Sequence, residues 1–255
     1  MNSVWLHRFE IKPNRWIYVP TRETLDYGNL IKSSLVGKWK APSFYYHLNA
    51  GGHVKLVHDA KDYRYFSRYD FENYFAQVTR NRISRCLKDY FGYDQAREIA
   101  TRSTVTQQQS HSVPYGFPQS MLLASIVLDH SRLGKYFYRL KHQGFFVGVY
   151  VDDVIIASNN QEELQKASAE LEKMAVLSNL VFSKNKIQRV LDKISPFNID
   201  LAFSSLNISY PRFAQFVERI QSENDNLTKR AIKGYVDKIN PKQAGYLSLL
   251  GKFDN

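Results

Sequence analysis

Two adjacent carboxylates, Asp152 and Asp153, lie between two apolar runs, Phe145 to Val149 and Val154 to Ala157. An apolar run, a short polar break and a second apolar run read as a buried strand, a tight turn and a returning strand, with both acids at the tip. Two like charges beside buried strands are costly unless a cation takes them up. Hard divalent ions such as Mg²⁺ bind carboxylate oxygens, commonly one or two acids together with substrate phosphates. The pair therefore predicts a metal site that handles phosphates. The plainer alternative is a turn that happens to carry two aspartates, a residue common in turns.

Holding two ions across a phosphoryl-transfer centre needs a further acid. Asp70 is the best placed. It ends a predicted strand, Tyr65 to Asp70, just before an apolar helical pattern, so its carboxylate can face the hairpin, and the backbone carbonyl of Phe71 would follow it near the metal. Glu72 is a rival acid with less support from its neighbours. Taken alone, Asp70 reads as a helix N-cap. In such a centre one ion lowers the pKa of an attacking hydroxyl and the other neutralises a triphosphate, while the protein supplies position and charge.

The elements that must position these acids follow from periodicity. Residues 4–20 read as short strands around a basic turn, Lys12-Pro13-Asn14-Arg15, and residues 21–40 as helix. One amphipathic helix is predicted from Asn73 to Tyr90, with Phe75, Val78, Ile83, Cys86, Leu87 and Tyr90 on its apolar face. Asn49 to His53, polar with two glycines, reads as a loop. The polar stretch 101–113 is a loop or exposed ribbon and Pro114 to Pro118 a turn, after which one helix carries Leu122 to Leu133. The hairpin at 145–157, a helix from Leu164 to Ser178, strands over 180–203 and a mostly helical remainder complete an α+β pattern, helices packed on an antiparallel sheet. The weakest point of the chain is near Ile194-Ser195-Pro196. Beyond it, Lys229, Arg230, Lys233, Lys238 and Lys242 could line a nucleic-acid groove or form a solvated helix face.

Composition narrows the partners. The 255 residues include 35 Lys and Arg against 24 Asp and Glu, a formal charge of +11. That excess favours a polyanion, nucleic acid first. The 17 tyrosines and 16 phenylalanines suit base stacking and equally a core. The single Cys86 forms no internal disulfide, fits a reducing compartment and reads as a core residue. No apolar run approaches a membrane span and no signal-like segment opens the chain, so a cytoplasmic protein without a membrane partner is expected.

Tyr150-Val151-Asp152-Asp153 matches the YxDD box of the reverse transcriptases, and four further segments resemble motifs of that family in the same order. Lys12 to Thr21 resembles the basic fingers hairpin. Tyr69 to Phe75 resembles the motif with the first catalytic aspartate and an aromatic five positions later. Tyr115 to Ser120 with the following Met121 to Leu128 resembles the GxPQG-type motif and its helix, and Asn179 to Lys186 the GLxLNxxK motif. The resemblance implies a right-hand fold: fingers over 1–68 with part of 76–118, palm over 69–194, and a thumb-like or C-terminal helical module over 195–255. It implies that Asp70, Asp152 and Asp153 are the catalytic acids and, with Phe71, hold two Mg²⁺ ions, or Mn²⁺. Phe75 would be the steric gate against a 2′-hydroxyl, or simply a core aromatic. Gln119 would lie near the incoming nucleotide or template, or only satisfy a helix N-terminus. Lys12 and Arg15 would contact the triphosphate, or belong to a plain exposed turn. Lys186 would assist pyrophosphate departure or cover the palm. The implied partners are RNA, DNA and dNTPs, with an associated RNA, a second protein subunit or another copy of the chain.

Departures from the family pattern place the chain within it. Ser120 stands where Gly is usual after Gln119, Asn179 stands where Gly is usual, and the basic hairpin is one residue short. Protease, RNase H, integrase and HNH-type signatures are missing. Asn49 to His53 matches the NAxxH string of retron enzymes, but their VTG string is replaced by Asn207-Ile208-Ser209-Tyr210. The chain most resembles abortive-infection and defence-associated bacterial reverse transcriptases, some of which synthesise DNA without a template or from a protein primer. The expectation is a DNA polymerase adding dNTPs to a 3′-hydroxyl in anti-phage defence. The alternatives are a retron enzyme paired with a structured RNA, and a catalytically idle binding or assembly subunit. The apolar Gly245 to Leu250 stretch wants a partner, which suggests a truncation, a compact relative or a subunit packed on another chain.

Overall fold

The apolar runs flanking the two acids pair as strands in the computed structural model, which describes residues 3–13, 15–107 and 110–250. Asn14 of the basic turn and Gln108 and Gln109 of the polar stretch lie outside the described residues. In chain order the elements begin with β1 (Trp5–Lys12), β2 (Arg15–Pro20), α1 (Arg22–Val36), α2 (Gly52–Ala60) and β3 (Tyr65–Asp70). Next come α3 (Tyr74–Gln77), α4 (Arg80–Phe91), α5 (Tyr93–Arg102), β4 (Val105–Gln107), β5 (Ser110–Ser112), α6 (Ser120–Asp129) and α7 (Arg132–His142). The hairpin strands β6 (Phe146–Tyr150) and β7 (Asp153–Ser158) precede α8 (Gln161–Leu177). The chain continues with β8 (Gln188–Leu191), β9 (Lys193–Ile194), β10 (Ile199–Ala202), β11 (Ser205–Ile208), α9 (Tyr210–Ser222), α10 (Asn226–Ile239) and α11 (Pro241–Leu250).

These elements gather into two units, each assembled from separate stretches of chain. The first comprises the described residues of Met1–Tyr45, Asp70–Arg139 and Glu170–Lys184. Here β1 and β2 form an antiparallel hairpin in which Arg8 opposes Tyr18 and Lys12 opposes Arg15. The inner residue Tyr18 packs with Val105 and Phe117. Its backbone N–H donates to the Tyr115 carbonyl, so β2 is tied to the turn before α6. Gly116 serves that close approach, since its φ is +105° and a Cβ would meet the Tyr18 carbonyl. α6 is apolar all round, with Leu122 to Leu128 buried, as a central core helix must be.

The second unit comprises Tyr46–Tyr69, Leu140–Ala169 and Asn185–Asn255, of which 251–255 are undescribed. Its centre is a four-stranded sheet in the order β6-β7-β3-β8, beside a three-stranded sheet ordered β11-β10-β9. β6 and β7 pair antiparallel from Phe146 with Ala157 to Tyr150 with Asp153. Both strands are almost wholly buried, which explains a continuous apolar run in place of an alternating one. Phe146, Ile155 and Ala157 join Leu56, Val57 and Ala60 of α2 and Val236, Ile239 and Leu247 of the last two helices in one apolar cluster. The C-terminal apolar stretch is therefore divided: Leu247 is interior, while Tyr246 and Leu249 face outward.

Three local expectations are corrected. The single helix over Asn73 to Tyr90 is two, because Val78 (φ −94°, ψ 82°) leaves helical geometry. The β-branched Val78-Thr79 pair instead follows the ribbon: Thr79 bridges Ser112, and the Val78 carbonyl accepts from Val113 N–H. The helix predicted through Leu133 stops at Asp129, and Gly134 lets α7 start against the end of α6, since a Cβ there would collide with the carbonyls of Leu128 and Asp129. The Asn49 to His53 loop ends sooner than expected. Gly51 and Gly52 both hold positive φ and launch α2, of which His53 is the second residue. α5 was not anticipated at all.

Candidate active site

The turn between β6 and β7 holds Val151 and Asp152, with Asp153 opening β7; all three are half-buried. Val151 has φ of +57°, a region that β-branched residues avoid. Such strain persists where the surroundings over-determine it, and it clusters at functional sites. His47 is part of the constraint. Its Nδ1 accepts from Val151 N–H at 3.0 Å and lies 3.3 Å from the Val149 carbonyl oxygen. Accepting from Val151 requires a neutral Nδ1 with a lone pair. Burial pushes the His47 pKa down to about 4, so the ring is neutral across the ordinary range. His47 and His53 also meet Tyr150 edge-on, and Tyr150 packs against Phe197. His53 Nε2 lies 3.1 Å from the Tyr235 hydroxyl of α10. The retron-like string thus braces the hairpin through its histidine and the neighbouring His47.

Arg68 of β3 reaches Asp153. Its Nε and Nη2 donate to Oδ1 at 3.0 and 2.8 Å, and its Nη1 donates to the Ser195 carbonyl at 3.1 Å. The sequence reading had no signal for this pair, whose partners are 85 residues apart. Lys186 is exposed, in a short 3₁₀ turn ahead of β8.

In the first unit Asp70, the last residue of β3, is 6% exposed, and its carbonyl accepts from Ser183 N–H. Phe71 is buried between the stacked rings of Tyr74 and Phe182. Phe75 is nearly buried and stacks on Tyr115 at 4.6 Å. Arg15 lies over the other partner of that stack, 4.9 Å from the Tyr115 ring, and its Nη2 donates to the Tyr115 hydroxyl at 3.0 Å. Arg15 and Tyr115 border a cavity of about 210 Å³ with Arg8, Trp16, Tyr18, Asn73, Ala76, Gln107 and Ser110. Arg8 lies 4.5 Å over the Trp16 ring, so two guanidinium groups on aromatic supports border the cavity, each with the planar paired donors that suit phosphate oxygens.

The structure brings Arg15 and Phe75 to one stack and leaves two other predicted nucleotide contacts outside this cavity. Lys12 opposes Arg15 at the exposed end of the hairpin and does not line it. Gln119 is fully buried; its amide nitrogen donates to Ser103 Oγ at 3.2 Å, and its oxygen lies under Gly28. Arg8 was missed. Its signal was available: it precedes Arg15 by seven residues, a separation that a two-residue-period hairpin can fold back onto one face. A wider cavity of about 620 Å³, bordered by Trp5, Glu23, Arg80 and Arg102, touches none of the predicted site residues.

The acids suit a hard ion. Every predicted donor is oxygen, the chemistry of Mg²⁺ and Mn²⁺ rather than of softer metals. Among the described residues no three Asp, Glu, His or Cys side chains gather into a cage. Also among the described residues, no helix is long and apolar enough to cross a membrane.

The chain resembles known proteins over nearly its whole length. A polyprotein of Cassava vein mosaic virus is 22% identical over 221 residues, which are 86% of this chain and 29% of the polyprotein. A foamy viral protease-reverse transcriptase bound to double-stranded DNA superposes with a TM-score of 0.51 at 15% identity, over 89% of this chain and 35% of its own. Telomerase of Candida albicans, in complex with a fragment of telomeric RNA, superposes with a TM-score of 0.59 at 11% identity, over 91% of this chain and 52% of its own. The chain thus spans roughly a third to a half of these relatives, and the fold that the two solved structures share with it is the right-hand polymerase fold. Residues 13–247 match the family model described as reverse transcriptase (RNA-dependent DNA polymerase), and on that match the chain belongs to the reverse transcriptase family.

Proposed function

We propose that the protein is an RNA-directed DNA polymerase that adds dNTPs to a 3′-hydroxyl, with Asp70, Asp152 and Asp153 as its acids. The observation that carries this reading is the strained, braced turn. A Tyr-Val-Asp-Asp turn with Val151 at positive φ opens β7, and the neighbouring strand β3 of the same sheet ends on Asp70. Backbone strain of this kind points to a functional turn.

In this reading Asp70 and Asp152, with the Phe71 carbonyl, hold the divalent ions, and Asp153 flanks them. Two Mg²⁺ ions, or Mn²⁺, would supply charge neutralisation and acidification of the attacking hydroxyl when bound. Arg15 and Arg8 face the triphosphate oxygens and orient them, while the Tyr115 ring, fixed by Arg15, supports the nucleotide. Phe75, stacked behind Tyr115, closes the space where a 2′-hydroxyl would sit. The hydroxyl oxygen of the primer attacks the α-phosphorus, the α–β bridge bond breaks, and pyrophosphate leaves with the electron pair. Lys186, exposed in its turn, would assist the departure of that leaving group or cover the palm.

The finer setting is anti-phage defence, supported by the departure at Ser120 and by the shortened basic hairpin. A retron-like pairing with a structured RNA is the second reading, supported by the NAxxH string, whose His53 braces Tyr150. The test is incorporation of labelled dNTPs in Mg²⁺ by the parent and by Asp70→Ala, with and without added primer-template. Incorporation that chelator and the substitution both abolish supports the polymerase. Co-purification with one defined RNA favours the retron reading, and activity without template favours untemplated synthesis.

A further inference from the structure

A cavity of about 270 Å³ in the first unit gathers positive charge that the polymerase chemistry above does not use. Arg82 and Arg85 of α4 and Arg132, the first residue of α7, line it, and no carboxylate does. It shares no lining residue with the Arg8–Arg15 cavity. Arg82 is the fixed member. Its guanidinium donates to the carbonyls of Gln77, Ser178 and Asn179, so it meets the negative end of α8. Carbonyl dipoles leave its full charge uncancelled. Burial, with the Arg85 charge also contributing, pulls its pKa below the ordinary value. Arg85 and Arg132 are exposed at the mouth. Two other groups at the cavity are already engaged. His130 sits 2.9 Å from the Ile126 carbonyl and 3.1 Å from the Tyr90 hydroxyl, a pairing that a neutral ring satisfies. The adjacent Asp129 accepts from Trp39 Nε1 and the Tyr138 hydroxyl at 2.9 and 3.1 Å.

We propose that this cavity is a second phosphate-binding site, in which Arg85 and Arg132 close on one phosphate group over the fixed charge of Arg82. Guanidinium groups arriving from two helices suit a tetrahedral oxyanion, whose oxygens point several ways, better than a planar carboxylate. The positive end of α7, whose first residue lines the cavity, favours the same anion. With a chain charge of +11, the expected source is a backbone phosphodiester of a nucleic-acid strand. Free inorganic phosphate is the other source of the same chemistry.

Arginine Nε–H resonances of the full-length chain, assigned through Arg85→Lys and Arg132→Lys, report on the site directly and require no catalysis. Inorganic phosphate and a short single-stranded RNA are titrated separately. Both resonances should shift: with the RNA where a strand is the source, with phosphate alone where the free ion is. No shift with either would overturn the proposal. So would shifts with a polyglutamate peptide as large as those with the RNA, which would make this a site for an acidic protein segment. Where the RNA binds, Arg85→Gln/Arg132→Gln should lower the slope of log affinity against log salt by about 0.7, one phosphate contact on a single strand. Lys32→Gln/Arg97→Gln removes the same charge from two other exposed positions and should leave that slope unchanged. An equal drop in both variants would mean general surface charge and no site. Circular-dichroism melts of both variants should match the parent, since all four side chains are exposed.

Discussion

His47 shows how a single side chain can hold a strained turn. Its Nδ1 accepts from Val151 N–H, and the bond exists only while the ring is neutral. The folded pKa is pushed down to about 4 by burial, below the ordinary value of 6.5. The folded protein therefore binds fewer protons than the unfolded chain between those values, so this contribution is complete above pH 6.5 and is lost as the pH falls toward 4. Over that window the parent should lose up to about 3 kcal/mol that a His47→Gln variant does not lose. Parallel urea titrations at pH 7 and pH 5 check it: the gap between the two proteins should narrow on acidification, and a constant gap would refute the role. Phe75 makes a second residue-scale prediction. Phe75→Ala opens space beside Tyr115 and, in the proposed reading of Phe75 as a steric gate, should raise the ratio of rNTP to dNTP incorporation at least about tenfold. Ratios of kcat/KM for the paired nucleotides would measure it. Asp152, Asp153 and Asp70 were named as candidates from their neighbours, and Arg15 and Phe75 from the family resemblance. Arg68 and His47 were not singled out, because each works through a partner distant in sequence that no local pattern encodes; Arg8 was missed although its spacing from Arg15 offered a signal.

Elements were read best where one period dominates. The β6–β7 hairpin was predicted at 145–157 from two apolar runs around a short polar break, and β3 at Tyr65 to Asp70 as a strand leading into an apolar helical pattern. Boundaries failed where the backbone leaves one element to meet another. Val78-Thr79 was assigned to a helix by spacing, but its backbone pairs with the β4–β5 ribbon. Asp129 to Arg132 was read as continuous helix, but Gly134 permits a close approach that spacing cannot show. Gly134→Ala should therefore lower stability by roughly 2 to 3 kcal/mol, since the obstructing atoms are backbone carbonyls that cannot rotate away. Gly144→Ala, at φ +86° with nothing near its Cβ, should cost only about 1 kcal/mol through backbone strain. Thermal melts of the two variants side by side test the distinction, and equal losses would show that the α6–α7 junction relaxes.

At the scale of the molecule, fold class was legible because five motif-bearing segments occur in order, each attached to an element type that the periodicity supports. The arrangement into two units was not, since each is assembled from segments far apart in sequence. The +11 charge and the arginine-lined cavity agree in direction, both favouring phosphate-bearing partners. Membership of the reverse transcriptase family rests on residues 13–247, and the chemistry proposed here rests on the braced turn and on Asp70. The measurement that tests it most directly is single-nucleotide extension of a DNA primer on an RNA template in Mg²⁺. The four dNTPs are offered one at a time to the parent and to an Asp152→Ala/Asp153→Ala variant. The account predicts addition of the complementary nucleotide by the parent and none by the variant. Equal extension by both proteins, or no extension by a folded parent on any primer-template, would contradict it.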